Sequence, residues 1–425
     1  MNQLSKIVLI VIFVCTTAIS TQAQGLGNAP YSTFGVGEVF PRGFAQFYGM
    51  GGSGVSVANG IYTNTMNPAL LAANHFTTFE VGLLGHYKRL QDVKESQKDF
   101  GANLHYLNLT FPLGKIGAAS FGIQPYSTVD YESRFTKKAQ GSNGLQDVVY
   151  SYKGVGAVNK ATLAAGFNPV KPWYIGLATD IYFGNILAQT NSRLKDQAEF
   201  LLKFNNKTSL NGTGLRLGTA WKQKINKDWN VNFGATYELK TRLNTTNLQT
   251  SQAFQLASDG SFLPVAAIDT LGQSTGGKTF LPPQYRFGFS VDSPYKFVFS
   301  ADYSVAQWSK YSKNGNAEPV FRDANTIALG LDYTPGANST SFFKKTSYRF
   351  GFASTNTQYF IANQQVKDNS VSLGFMFPVG RSLSYTNLSL VAGRRGNLAT
   401  IKEDYIKIAL GFTLTDLWFR KVKID

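Results

Sequence analysis

Residues able to do chemistry are sparse in this chain. It has three histidines, His75, His86 and His105, and one cysteine, Cys15. The histidines follow no metal-ligand spacing. A lone cysteine gives neither a disulfide framework nor a thiolate cluster. Gly49-Met50-Gly51-Gly52-Ser53-Gly54 has the glycine spacing of a dinucleotide-binding turn. Such a turn needs a strand before it and a helix after it, and the flanking residues show neither period. These glycines read instead as places where backbone packs closely. A serine hydrolase needs serine, histidine and an orienting group within reach. His86 shares strand parity with Glu80, so a polar network or a plain hydrogen-bonded histidine is open to it. Nothing here argues for an enzyme, a cofactor or a metal.

The elements that would position these residues are strands. Charged residues are 16% of the 425 residues and aromatics 14%, with 41 glycines. Low charge with many rings and glycines fits an all-β protein with an apolar outer surface, and disorder would need fewer aromatics. From about Thr77 onward, apolar residues occupy alternate positions. Trp229, Val231, Phe233, Ala235 and Tyr237 alternate with Asn230, Asn232, Gly234, Thr236 and Glu238; Tyr348, Phe350 and Phe352 oppose Arg349, Gly351 and Ala353. A period of two gives each strand one apolar and one polar face.

A soluble sandwich hides the apolar face, whereas a membrane barrel turns it outward. The segments run about ten residues, the length of a tilted transmembrane strand, and a sheet in lipid must close on itself. The expected fold is a transmembrane antiparallel β-barrel of fourteen strands over residues 77–425. Tyr174, Trp229, Tyr237, Tyr285, Tyr303, Trp308, Tyr333 and Trp418 fall near strand ends, where rings sit at a lipid–water boundary. The start agrees with export. Lys6, the apolar run Ile7–Ile19 and Thr21-Gln22-Ala23 form a signal peptide over residues 1–23, and Cys15 lies inside it. The formal charge of +16 is scattered without a run of five basic residues. That disfavours nucleic acid and suits an anionic membrane surface.

Residues 24–76 do not alternate. Irregular chain cannot lie in lipid, so this stretch is expected as a plug folded into the lumen. Inward positions are small, among them Gly176, Gly218, Gly234, Gly288, Gly330, Gly351 and Gly411, which leaves room for it. Other inward positions are polar: Glu80, His86, Arg286, Asp302 and Arg349. Thr241–Pro283, rich in Asn, Gln, Ser, Thr and Gly, is expected as an irregular external cap. Pro125 follows the alternating Ala119, Phe121 and Ile123. It either ends that strand or breaks the ladder within it.

Gly49-Met50-Gly51-Gly52 followed by Asn67-Pro68-Ala69 resembles the amino-terminal hatch of the FadL-type outer-membrane transporters. Leu281-Pro282, Gly288, Asp302 and Trp308, and later Tyr348-Arg349-Phe350-Gly351, are similar to further stretches of that family. Pro30-Tyr31-Ser32-Thr33-Phe34-Gly35 and Trp418-Phe419-Arg420-Lys421 resemble its Bacteroidetes branch. The resemblance implies fourteen strands, a hatch, and hydrophobic molecules such as fatty acids leaving sideways through a kinked third strand. Gly51, Gly52, Asn67, Pro68 and Ala69 would then gate, and Pro125 would mark the lateral opening. The implied partners are outer-membrane lipid and lipopolysaccharide, a hydrophobic small-molecule ligand, and the barrel assembly machinery. A monomer without nucleic acid is expected. A scaffold or cargo barrel of type IX secretion and a polar porin are the alternatives.

Overall fold

The computed structural model describes residues 28–416 except 59, 94, 115, 142–143, 196–198 and 381–382. The expected signal peptide, Cys15 and Trp418–Lys421 lie outside the described residues. The alternating segments form one closed antiparallel barrel of fourteen strands. In chain order these are β1 (Thr77–Gln91), β2 (Ser96–Pro112), β3 (Gly117–Gly141), β4 (Gly144–Val170), β5 (Trp173–Leu194) and β6 (Phe200–Lys224). Next come β7 (Asn230–Glu238 with Thr241–Leu256), β8 (Asp269–Leu281 with Gln284–Ser293), β9 (Phe297–Ala306) and β10 (Ala324–Tyr333). The last four are β11 (Ser347–Ile361), β12 (Gln364–Pro378), β13 (Tyr385–Arg395) and β14 (Lys402–Asp416). β14 closes on β1, with Thr77 opposite Asp416 and Gln91 opposite Lys402. Both β7 and β8 are bent where their segments meet. In β8 the bend is Pro282-Pro283, two residues without an N–H for the ladder.

The alternation is inside-out. Phe233 is 49% and Phe350 54% exposed, while Asn232 and Arg349 on the other face are buried. Apolar residues cover the outside, and polar residues with glycine cover the inside.

The wall has unequal height. β3 to β6 run 22–27 residues, against 10 each for β9 and β10. Thr241–Pro283 contributes to the tall side, which corrects the expectation of an irregular cap. Residues 241–256 pair with β6 and with residues 269–281. The stretch has no apolar alternation, yet its Thr, Asn and Gln side chains bond across the strands, as Thr245 to Thr279 (2.9 Å) and Thr208 to Asn247 (2.8 Å). Polar β-ladders of this kind need no apolar face.

Candidate functional site

Residues 28–76 pack on the inner face. The chain passes the inward glycines one after another. A Cβ on Gly351 or Gly330 would overlap Met50, one on Gly234 would overlap Val55, and one on Gly218 would overlap Asn67 and Pro68. The register places these glycines side by side: Gly330 opposite Gly351, Gly234 opposite Gly288, and Gly176 opposite Gly218. Backbone meets backbone there because no side chain intervenes.

Specific bonds fix the segment. Asn67 is fully buried. Its Nδ2 donates to the carbonyls of Val55 and Thr219, both at 3.0 Å, and its Oδ1 accepts from Ala69 N at 3.1 Å. The last bond caps the short 3₁₀ turn Pro68–Ala73. Asp302 Oδ2 accepts from Gly54 N (2.7 Å) and Val55 N (2.9 Å). Gly51 donates to Ser372 Oγ at 3.0 Å. Gly51 and Gly52 take φ of +67° and +79°, which a side chain would strain.

Buried ions tie the segment to the wall at three places. Arg395 reaches Glu38 (2.8 Å), Asp368 (3.1 Å) and Glu403 (3.9 Å). Burial alone would raise the Glu38 carboxyl, but Arg395, then Lys88 and Lys407, outweigh it and hold it below the usual range. Arg42 pairs with Glu238, which also accepts from Tyr182. Asp180 stands 3.6 Å from Arg216 and 4.0 Å from Lys160, and Arg216 donates to the carbonyl of Thr65. The sequence reading missed Glu38, Arg42, Asp180 and Arg395. Glu38 and Arg395 are 357 positions apart, and strand parity alone does not pair any of the four with its partner.

The inward polar residues have different surroundings. Glu80 accepts from Gln46 and Thr413, both at 3.3 Å. His86 Nε2 lies 3.7 Å from Glu403. Arg349 donates to Asp332 (2.8 Å) and Asn387 (3.0 Å) and lies over the Tyr62 ring. Arg286 Nε finds no hydrogen-bond partner among the described residues. Arg286 and Asp302 line a cavity of about 280 Å³, together with Arg42, Glu38 and Lys407. His86 faces the Glu403 carboxylate and the Tyr405 ring, whereas Glu80 faces Gln46 and Thr413, so the two share a parity but none of these partners. Among the described residues no group of three His, Cys, Asp or Glu side chains could hold a metal.

Above this cavity lies an aromatic cluster. Tyr31 and Tyr359 pack at 5.1 Å, and Trp308, Tyr311 and Phe321 join them. Trp308 is 4% exposed, so it is no boundary ring. It sits in the connection after β9, which folds inward.

Near Pro125 the ladder between β2 and β3 breaks off. β3 does not end there but runs on to Gly141, which removes the strand-end reading. What ends is its ladder with β2: the pairs run from Pro112 opposite Ala118 to Leu107 opposite Ile123 and stop. Beyond, the short strand Glu38–Val39 pairs with Thr128 and Ser127 of β3. Ala29 N donates to Asp130 O, and Asn28 N to Asp99 Oδ2. Residues 28–39 thus occupy the edge that β2 leaves.

One further signal is Gly272–Thr279, which spells Gly-X-X-X-X-Gly-Lys-Thr, the pattern of a phosphate-binding loop. The structure places it within a β8 segment whose register shifts at Gly272 and Gly277. No helix follows, so the cradle that binds nucleotide phosphate is not built.

The family model named BamG matches residues 4–425. The chain belongs to the BamG family. Among curated proteins none matches by sequence. Solved structures similar to this BamG-family barrel include the toluene transporter TbuX of Ralstonia pickettii. Its TM-score is 0.59 at 16% identity, covering 88% of this chain and 98% of that one. The toluene transporter TodX of P. putida has a TM-score of 0.58 at 15% identity, over 89% and 100% of the two chains. A FadL homologue of Pseudomonas aeruginosa gives 0.55 at 12%, over 90% and 100%. At identities this low the likeness of the BamG-family chain to these structures establishes the fold alone, a FadL-like barrel.

Proposed function

We propose that this chain is an outer-membrane barrel, plugged by residues 28–76, that serves as an accessory subunit of the outer-membrane barrel assembly machinery. The observation that carries this reading is the BamG family match over residues 4–425, since Bam designates that machinery. The interior supports it. Glycine contacts, three buried ion clusters and an aromatic cluster fasten the segment at every level, which suits a rigid scaffold better than a solute pore. In-membrane crosslinking and affinity capture of the tagged full chain test it. The central assembly barrel should copurify, and depletion of the chain should lower other outer-membrane barrels. Capture of the chain alone, with normal levels of other barrels, would refute it.

A second reading is favoured by the broken β2–β3 ladder at Pro125. Here hydrophobic small molecules leave sideways through that gap. Gly51, Gly52, Asn67, Pro68 and Ala69 belong to the gating segment, and Arg286, Asp302 and Arg349 to the polar lining that fixes it. Uptake of a labelled hydrocarbon or fatty acid into proteoliposomes distinguishes the readings. Deleting residues 28–60 should raise ion conductance in planar bilayers under either reading. An unchanged conductance would place the segment outside the permeation path.

A further inference from the structure

We propose that the outer face of β6, β7 and β8, just above the apolar belt, binds the phosphate and sugar of a phosphorylated glycolipid headgroup. The proposal rests on reading the chain as an outer-membrane barrel. Four cations lie on this face: Lys207 on β6, Lys240 and Arg242 at the bend of β7, and Lys278 on β8. All four are exposed, while Leu243, Thr245 and Thr279 between them are buried on the opposite face. The ladder brings Lys240, Arg242 and Lys278 together, with Arg242 opposite Phe280 and Asn244 opposite Lys278, while Lys207 stands further up the wall, opposite Leu248. Lys240 sits 4.7 Å over the Phe280 ring. Among the described residues no carboxylate pairs with any of the four, whereas Arg42, Arg216, Arg349 and Arg395 in the interior are held by acids.

Below the cations the face is apolar. Arg242 and Asn244 rim a shallow dish whose other residues include Ile181, Phe183, Asn211 and Thr213. Tyr237 and Tyr285 stack at 4.8 Å in the same zone, as rings do at a lipid–water boundary. Amides and hydroxyls line and border the dish. Ser209 donates to Asn185 (2.6 Å) and Asn244 to Asn211 (3.4 Å). Acyl chains would lie on Ile181 and Phe183, phosphate oxygens would meet Arg242 and Lys278, and sugar hydroxyls would meet the amides. Arginine and lysine around a phosphate give short charge-assisted bonds, and basic pockets at membrane depth select lipid headgroups. The described chain begins and ends its barrel at the opposite end, Thr77 beside Asp416. In bacterial barrels the tall side faces outward, so the dish meets the outer leaflet, where such glycolipid resides.

The test is native mass spectrometry of the full-length barrel in detergent, titrated with a bis-phosphorylated lipid A. Dephosphorylated lipid A, phosphatidylglycerol and inorganic phosphate form the other arms. The Arg242→Gln/Lys278→Gln variant should bind lipid A at least about tenfold more weakly, the loss of one or two charge-assisted contacts. Lys344→Gln, at the other end of the barrel, should bind as the parent does. Equal retention by the double variant overturns the site. Equal binding of phosphatidylglycerol overturns the glycolipid assignment. Heat-modifiable migration reports the barrel separately, and its absence in the parent would refute the membrane reading itself.

Discussion

Asn67 shows how much one side chain can hold. Two donors and one acceptor of its amide are used, and the residue is fully buried. Asn67→Ala leaves the Val55 and Thr219 carbonyls and the Ala69 N–H without partners, at about 1–3 kcal/mol for each buried group left unmade. Asn67→Asp should be worse, since a carboxylate would face two carbonyls. Limited proteolysis should cut within residues 50–70 sooner in both variants, with Asp the more sensitive, and equal resistance would mean the amide holds nothing. Arg395 is the other such residue. Arg395→Ala leaves Glu38, Asp368 and Glu403 buried together without their cation, a loss of about 3–5 kcal/mol. Arg395→Lys should recover part of it, because the charge stays but the fork does not. Urea unfolding in detergent measures both, and a change under 1 kcal/mol in Arg395→Ala would show the cluster is not coupled to folding.

At the scale of elements, the short strand Glu38–Val39 decides what the β2–β3 gap is. It pairs with β3 where β2 does not, so restoring an N–H by Pro125→Val should not close the gap. A lock is a sharper probe. Val39 lies opposite Ser127, and antiparallel partners have the Cα separation a disulfide accepts. Val39→Cys with Ser127→Cys should form a bond without competition, because Cys15 falls in the expected signal peptide. If hydrophobic molecules leave here, oxidation should slow their uptake and reduction should restore it. Uptake indifferent to the redox state would leave the gap as a static seam, as the scaffold reading has it.

For the whole molecule, the inverted surface sets where charge is tolerated. Phe350 lies in the apolar belt and Phe135 on the tall extension beyond it, with comparable exposures of 54% and 45%. Phe350→Arg should destabilise the barrel by about 2–4 kcal/mol, as arginine does at mid-bilayer. Phe135→Arg should cost less than 1 kcal/mol, near the value for interfacial positions. Unfolding in lipid vesicles compares them, and equal costs would mean the belt was placed at the wrong height.

The sequence by itself determined the barrel. A period of two with apolar residues outward, as at Phe233, Phe350 and Ile406, is a local property of each strand and needs no partner to be read. It also marked where something must fit inside, because inward glycines are absent side chains, visible one at a time. Glu80, His86, Arg286, Asp302 and Arg349 take inward positions by the same parity. The tertiary structure alone decided which of these meet: Arg395 with Glu38, Asn67 with Thr219, Asp302 with Gly54. Those contacts join residues 152 to 357 positions apart, and the distance is set by barrel closure rather than by any local preference. It also decided that Thr241–Pro283 is strand and that Trp308 is buried. A polar run carries no apolar alternation to read, and the burial of a ring in a loop depends on where that loop folds.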